Sequence, residues 1–257
     1  MKNKTISLCL VSAMAVTAIA GTSLAYFTDT DKADNVFTAG KVDIKLIEQQ
    51  RNSDGTALES FENGKMLFPV VGSVQNDKDS FGLSTAANYT DKIITVENLQ
   101  EDAYVRVFVA IPSELDNIED DSMDILHFDE GQTFVAEGNK NDSRPLNDDA
   151  ENWSDKTFEG TGYIENEEYN VYSYTYGKRM GKETTGSACI VGFYLDKDVD
   201  FNGQKYTVTR DGQTTEIDTD LSSVTIPVFA QGIQAEGFSS AAEAFEASGL
   251  TTNPWAD

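Results

Sequence analysis

Histidine is almost missing from this sequence: His127 is the only one in 257 residues. That shortage excludes a His-Glu-x-x-His zinc site, which needs two imidazoles on one helical face. Cysteine is nearly as scarce, with Cys9 and Cys189 alone. Cys9 falls in the N-terminal apolar run, so removal of that run leaves Cys189 with no disulfide partner in its own chain. A domain of this size must then be held by its core, and Val, Ile, Leu, Phe and Tyr are plentiful enough for that. Basic residues are also few. Nineteen Lys and Arg face 44 Asp and Glu, a formal net charge of −25. Such an excess repels phosphate backbones, which excludes nucleic acid as a partner. The same charge keeps copies apart at low ionic strength, and salt or divalent cations relieve the repulsion. Beyond the N-terminus there is no second hydrophobic span, no heptad pattern and no internal repeat.

What is present begins at that N-terminus. Lys2 and Lys4 precede a run from Ile6 to Ala20 that holds nothing more polar than Ser and Thr. Ser23, Leu24 and Ala25 then offer small residues at the positions a signal peptidase accepts. The order basic, apolar, small predicts a secretory signal over residues 1–25, cut between Ala25 and Tyr26. The run is short for a spanning helix, and nothing basic follows it as a stop-transfer signal. The expected product, residues 26–257, is a single β-sandwich domain. It is secreted to the cell surface or extracellular matrix and meets the membrane only through the uncut signal. The Asn253–Asp257 terminus shows no sortase-type or lipid-attachment pattern.

The block SLAYFTDTDKADNVFTAGKVDIKL, across the cleavage junction, resembles the N-terminus of the TasA and camelysin family of Gram-positive bacteria. Asp102–Val107 and Ala230–Phe238 also look like segments of clostridial relatives of that group. The resemblance implies export through a dedicated signal peptidase, usually called SipW, and a jelly-roll-like β-sandwich able to build extracellular fibres. In fibre-forming relatives the freed N-terminal segment completes the sheet of the next subunit. Carried over here, residues 26–37 are a candidate donor strand, with Tyr26, Phe27, Val36 and Phe37 supplying the side chains that enter a groove. Self-association into a fibre or biofilm matrix is the implied role, with other matrix proteins or glycans as further partners. Asp29, Asp31 and Asp34 depart from that picture, because charge beside a docking segment weakens association at low salt.

The residues themselves read as all-β. Val42, Ile44 and Leu46 alternate with Lys41, Asp43 and Lys45, and the parity shifts at Gly40 as at a bulge. Val105, Val107, Val109 and Ile111 form the cleanest apolar face, ended by Pro112. Tyr172, Tyr174 and Tyr176 make a ladder on another strand. Further strands are expected at 92–97, 188–195, 204–209 and 223–230, with Pro227 placing the last at an edge or bulge. Turns are expected at Ser53-Asp54-Gly55, Glu62-Asn63-Gly64, Asn202-Gly203 and Asp211-Gly212. Hairpins between long acidic loops describe an antiparallel sandwich. Residues 137–168, rich in Asn, Asp, Glu and Gly, read as a loop insertion. One short C-terminal helix is predicted, opened by a capping box of Ser240 and Glu243 and stopped by Gly249, with Phe245 docked on the sandwich.

Candidate chemistry is thin. His127 with Cys189 would be the only available thiol–imidazole pair, and no oxyanion-type glycine motif surrounds Cys189. Cys189 itself reads as a buried small hydrophobe. Some carboxylate pair with glycosidase spacing is inevitable among so many acids, so such a pair carries no information. Asp196, Asp198 and Asp200 have the first spacings of a calcium loop. Phe201 and Thr207, however, stand where that loop needs Gly and a bidentate Glu. Glu119-Asp120-Asp121 is a second loose calcium candidate. Trp153 and the tyrosine ladder are candidates for stacking on sugars in a glycan- or host-binding adhesin, although alternate tyrosines usually pack between strands. No catalytic residue is assigned. The functional classes are a structural fibre subunit, a surface adhesin and a secreted hydrolase, the last carried only by camelysin's peptidase label.

Overall fold

The computed structural model describes residues 36–39, 42–75, 77, 79–130, 153–222, 224–250 and 252–256. Fourteen strands and one α-helix lie among them. In chain order the strands are β1 (Val36–Ala39), β2 (Ile44–Arg51), β3 (Leu58–Ser60), β4 (Thr90–Asn98) and β5 (Ala103–Pro112). Next come β6 (Leu126–Glu130), β7 (Thr157–Ile164), β8 (Glu167–Thr175), β9 (Thr184–Thr185) and β10 (Ile190–Leu195). The last are β11 (Val199–Phe201), β12 (Tyr206–Arg210), β13 (Gln213–Ile217) and β14 (Val228–Gln234), followed by the helix α1 (Ala241–Ser248).

Two sheets carry the architecture. The first runs β1-β14-β5-β8-β7, and the second β3-β2-β4-β10-β6 with β9 added beside β4. A small three-stranded sheet, β11-β12-β13, completes the set. Every pairing between these strands is antiparallel except one: β1 lies parallel to β14. Ile44, Leu46, Ile94, Val96 and Phe193 from the second sheet share a single core with Val105, Val107, Val109, Tyr172, Tyr174 and Val228 from the first. Two sheets closed on one apolar layer make an all-β sandwich.

The alternation read from Val42, Ile44 and Leu46 holds: all three are buried while Asp43 and Lys45 are exposed. The expected shift at Gly40 lies outside the described residues. In β5 all ten residues are buried, although period-two reasoning expects one solvated face. The outer face is covered from the C-terminus. Tyr104 packs with Ile233, Ala241, Ala244 and Phe245, while Phe108 and Ala110 pack with Tyr169, Val171 and Trp255. Helix α1 forms as expected. Ser240 Oγ accepts the Glu243 N–H (3.2 Å), and Gly249 closes the helix in the left-handed region at φ 63°. The reciprocal half of the cap differs, because Glu243 accepts from the backbone and hydroxyl of Ser239. Phe245 docks under Arg106, whose guanidinium lies 4.3 Å from the ring centre and donates to Gln231 Oε1 at 2.7 Å.

Three expectations are corrected. Residues 137–168 are not one loop: β7 and the start of β8 fall inside that stretch and form a hairpin of the first sheet. Its turn, Glu165-Asn166, has φ of 52° and 73°, a primed turn made without glycine. Residues 137–152 lie outside the described residues. Pro227 sits just before β14 instead of within it, and β14 is an interior strand between β1 and β5. Only the proline carbonyl joins the ladder, accepting from Ala110 N at 3.0 Å. In β10, within the strand expected at 188–195, a bulge between Ile190 and Gly192 breaks the period of two that a regular strand would carry through Cys189, Val191, Phe193 and Leu195. Val191 therefore packs with Leu83 and Ile93, on the other side from Phe193 and Leu195.

Candidate functional site

The candidate assembly site is the edge of the first sheet. Val36, Phe37, Thr38 and Ala39 pair in parallel with Ala230, Gln231, Gly232 and Ile233 of β14. On its far side the same stretch of β14 pairs antiparallel with Tyr104, Val105, Arg106 and Val107. Among the described residues, β14 is completed on the edge side by the four residues of β1, a short, marginal ladder. The start of β2 crosses this edge closely. A Cβ built at Gly232 would stand 3.0 Å from Val42 Cγ1 and 3.1 Å from Ile44 Cδ1, so glycine lets the two sheets approach. Val36 and Phe37, two of the four residues proposed for strand exchange, therefore pair within their own chain in this structure. Tyr26 and Phe27 lie outside the described residues, as do Ser23, Leu24 and Ala25 of the expected cleavage site.

The catalytic candidates are engaged elsewhere. His127 Nε2 is 2.9 Å from Asp196 Oδ2, and its ring stacks on Tyr194 at 5.1 Å. Cys189 is buried with its sulfur directed at the Ile94 carbonyl (3.6 Å), and burial pushes the thiol well above its ordinary range. A nucleophilic cysteine needs the opposite shift. Asp196 accepts the Asp198 N–H on Oδ1 at 2.7 Å and meets His127 with its other oxygen. Asp198 is exposed, and Asp200 is an exposed residue of β11. Among the described residues no group of three or more His, Cys, Asp or Glu is placed to hold a metal ion. In the second calcium candidate, Asp120 caps Ser122 and Asp121 pairs with Lys156 at 3.0 Å.

The aromatic candidates lie in the core. Trp153 is 3% exposed, donates from Nε1 to the Ser187 carbonyl at 3.0 Å and meets Tyr176 edge-on. Tyr172 and Tyr174 donate their hydroxyls to Asp116 (2.6 Å) and Glu130 (2.8 Å). These rings present no face to a sugar, so the stacking site proposed for an adhesin is corrected: the ladder is core packing with satisfied hydroxyls.

Two polar clusters were not legible in the sequence. Arg51 holds Asp91 in a fork, with Nε to Oδ2 at 2.7 Å and Nη2 to Oδ1 at 2.6 Å. The guanidinium also reaches Ser80 and the Ser84 carbonyl, tying the 79–84 segment to the end of β2. The other cluster surrounds Asp116, which accepts from Asn170 and Tyr172 on the single oxygen Oδ2. An Arg and an Asp forty positions apart, or an Asp followed by Asn170 and Tyr172, have no linear signal. Only strand pairing brings them together.

Compared with known proteins, residues 1–51 match the family described as camelysin metallo-endopeptidase. No curated protein matches the chain. The family's label implies a metal, and the described residues do not fit a zinc site of the peptidase kind, since the one imidazole is committed to Asp196 and Tyr194. The match ends at Arg51, the last residue of β2, and so takes in both the edge strand β1 and the first long strand of the second sheet. Over residues 1–51, the likeness to the TasA and camelysin family read from the sequence is a finding.

Proposed function

We propose that this protein is an exported structural subunit that associates head to tail by strand addition, building an extracellular fibre or matrix. The observation that carries the reading is the four-residue parallel strand β1 at the edge of the first sheet. A short edge strand at the start of the mature chain has few ladder bonds to lose, and an identical strand from another copy satisfies the same groups on β14. Exchange of this kind is heterologous: each subunit gives one segment and receives another, so the contact propagates. Residues 26–35, which lie outside the described residues, belong to the proposed donor segment as well. The net charge of −25 opposes close approach of copies, which makes assembly dependent on salt.

Three versions of the mature chain test this, starting at Tyr26, at Asn35 and at Gly40. The first carries the full donor, the second only β1, and the third neither. Electron microscopy and sedimentation at low and physiological salt should show filaments from the longest form at physiological salt. The shortest form should stay monomeric and bind an added peptide of residues 26–39. Monomers from all three under every condition, with no peptide binding, would refute strand addition.

A further inference from the structure

A cavity of about 400 Å³ opens between the 113–125 segment and β8. Its lining includes Asp116, Ile118, Glu119, Met123, Ile125 and Asn170. Asp116 is 8% exposed, and its two oxygens differ. Oδ2 accepts from Asn170 Nδ2 (2.7 Å) and the Tyr172 hydroxyl (2.6 Å), whereas Oδ1 is buried with no hydrogen-bond partner. A buried carboxylate oxygen left without a donor costs desolvation energy that a bound donor would recover. At the mouth of the cavity Ile118 and Met123 are 54% and 40% exposed, large apolar side chains facing solvent beside an acidic floor.

We propose that this cavity receives a primary ammonium on an aliphatic stem: a lysine side chain presented by a basic partner protein. Charge complementarity selects the sign. The ionisable groups of the lining are Glu114, Asp116 and Glu119, all acidic. Nearby cations are already used. Lys156 is held by Asp121 at 3.0 Å over the Tyr172 ring, and Arg210 binds the Met123 and Asp124 carbonyls. Glu114 is occupied by the backbone N–H groups of Asp218 and Thr219, so it contributes field but no contact. Only Oδ1 lacks a partner, which selects ammonium over guanidinium, because a fork needs two free acceptors and Oδ2 has none to spare. The apolar mouth matches the methylene stem of lysine, which lies along apolar surface with its charged end beyond. Each chain carries a charge of −25, so a basic partner gains more from this acidic lining than a second copy does.

The probe is Nα-acetyl-lysine N-methylamide, titrated into the isotope-labelled chain and followed through the methyl resonances of Ile118, Met123 and Ile125. Saturating shifts confined to those methyls are expected. The norleucine analogue should produce none, and the arginine analogue should bind several-fold more weakly. Asp116→Asn should weaken the lysine probe roughly tenfold or more. Ile118→Ser, an exposed position that no hydrogen bond depends on, should weaken it about threefold. If Asp116→Asn does not fold, Ile118→Ser and the comparison of analogues still decide the matter. Equal binding of lysine and arginine analogues, or affinity unchanged in the variants, would overturn the proposal. So would shifts scattered over the surface without saturation. The same methyl shifts on concentrating the protein without probe would overturn it in favour of a second copy.

Discussion

Asp124 offers a sharp test of the electrostatics. Its carboxyl is 5% exposed, and burial pushes its pKa from the ordinary 3.8 to about 6. Asp116 and Asp121 push it further in the same direction. The Asn117 N–H, donating to Oδ1 at 2.7 Å, and Lys156 oppose the rise. A carboxyl whose folded pKa lies above its unfolded value holds its proton longer in the native state. Native protein therefore binds more protons between pH 4 and pH 6, and stability falls as pH rises through that window. Above pH 6 the penalty is complete. A rise from 3.8 to about 6 corresponds to at most about 3 kcal/mol, and screening on the open side of the segment reduces this to about 1–2 kcal/mol. Asp124→Asn keeps an oxygen to accept the Asn117 N–H and removes the charge. The variant should match the parent near pH 4 and exceed its stability by about 1–2 kcal/mol at pH 7.5. Urea unfolding across this range measures the difference, and subtracting the two curves removes the repulsion common to both chains. Parallel curves, or a variant less stable at every pH, would refute the reasoning.

Two further outcomes test the core assignments. Trp153→Ala removes an indole that fills the space beside Tyr176 and satisfies the Ser187 carbonyl. It should cost about 3–5 kcal/mol in thermal or urea unfolding, whereas a surface platform for sugars would lose almost nothing. Cys189 should resist a thiol-directed alkylating reagent in the native state and react at once in denaturant, because it is 1% exposed and its pKa is raised by burial. Rapid native labelling would show that this part of the core opens.

How far the sequence could be read varies with the kind of signal. Val42, Ile44 and Leu46 show a period of two against charged neighbours, and β2 is built on it. Asn202-Gly203 and Asp211-Gly212 mark the two hairpin turns of the small sheet, since both need positive φ. The cap at Ser240 and the stop at Gly249 enclose α1 because both act within a single turn of chain. The hairpin of β7 and β8 was hidden by its polar composition and by a Glu165-Asn166 turn without glycine. The β10 bulge was equally invisible. Gly192 leaves room there for Tyr89, whose hydroxyl would lie 2.2 Å from an added Cβ, and nothing near Gly192 in sequence announces that ring.

Composition alone determined that no paired-histidine zinc site could arm this chain, and local patterning determined that its described residues are built mainly from strands followed by a C-terminal helix. Tertiary structure decided what those strands face. It turned Trp153 and the tyrosines inward, sealed the outer side of β5 with the C-terminal segment, and left β1 as a four-residue parallel edge. The reason is physical: periodicity and turn chemistry act over a few residues, whereas burial, pairing order and the meeting of Asp116 with Asn170 and Tyr172 depend on segments distant in the chain.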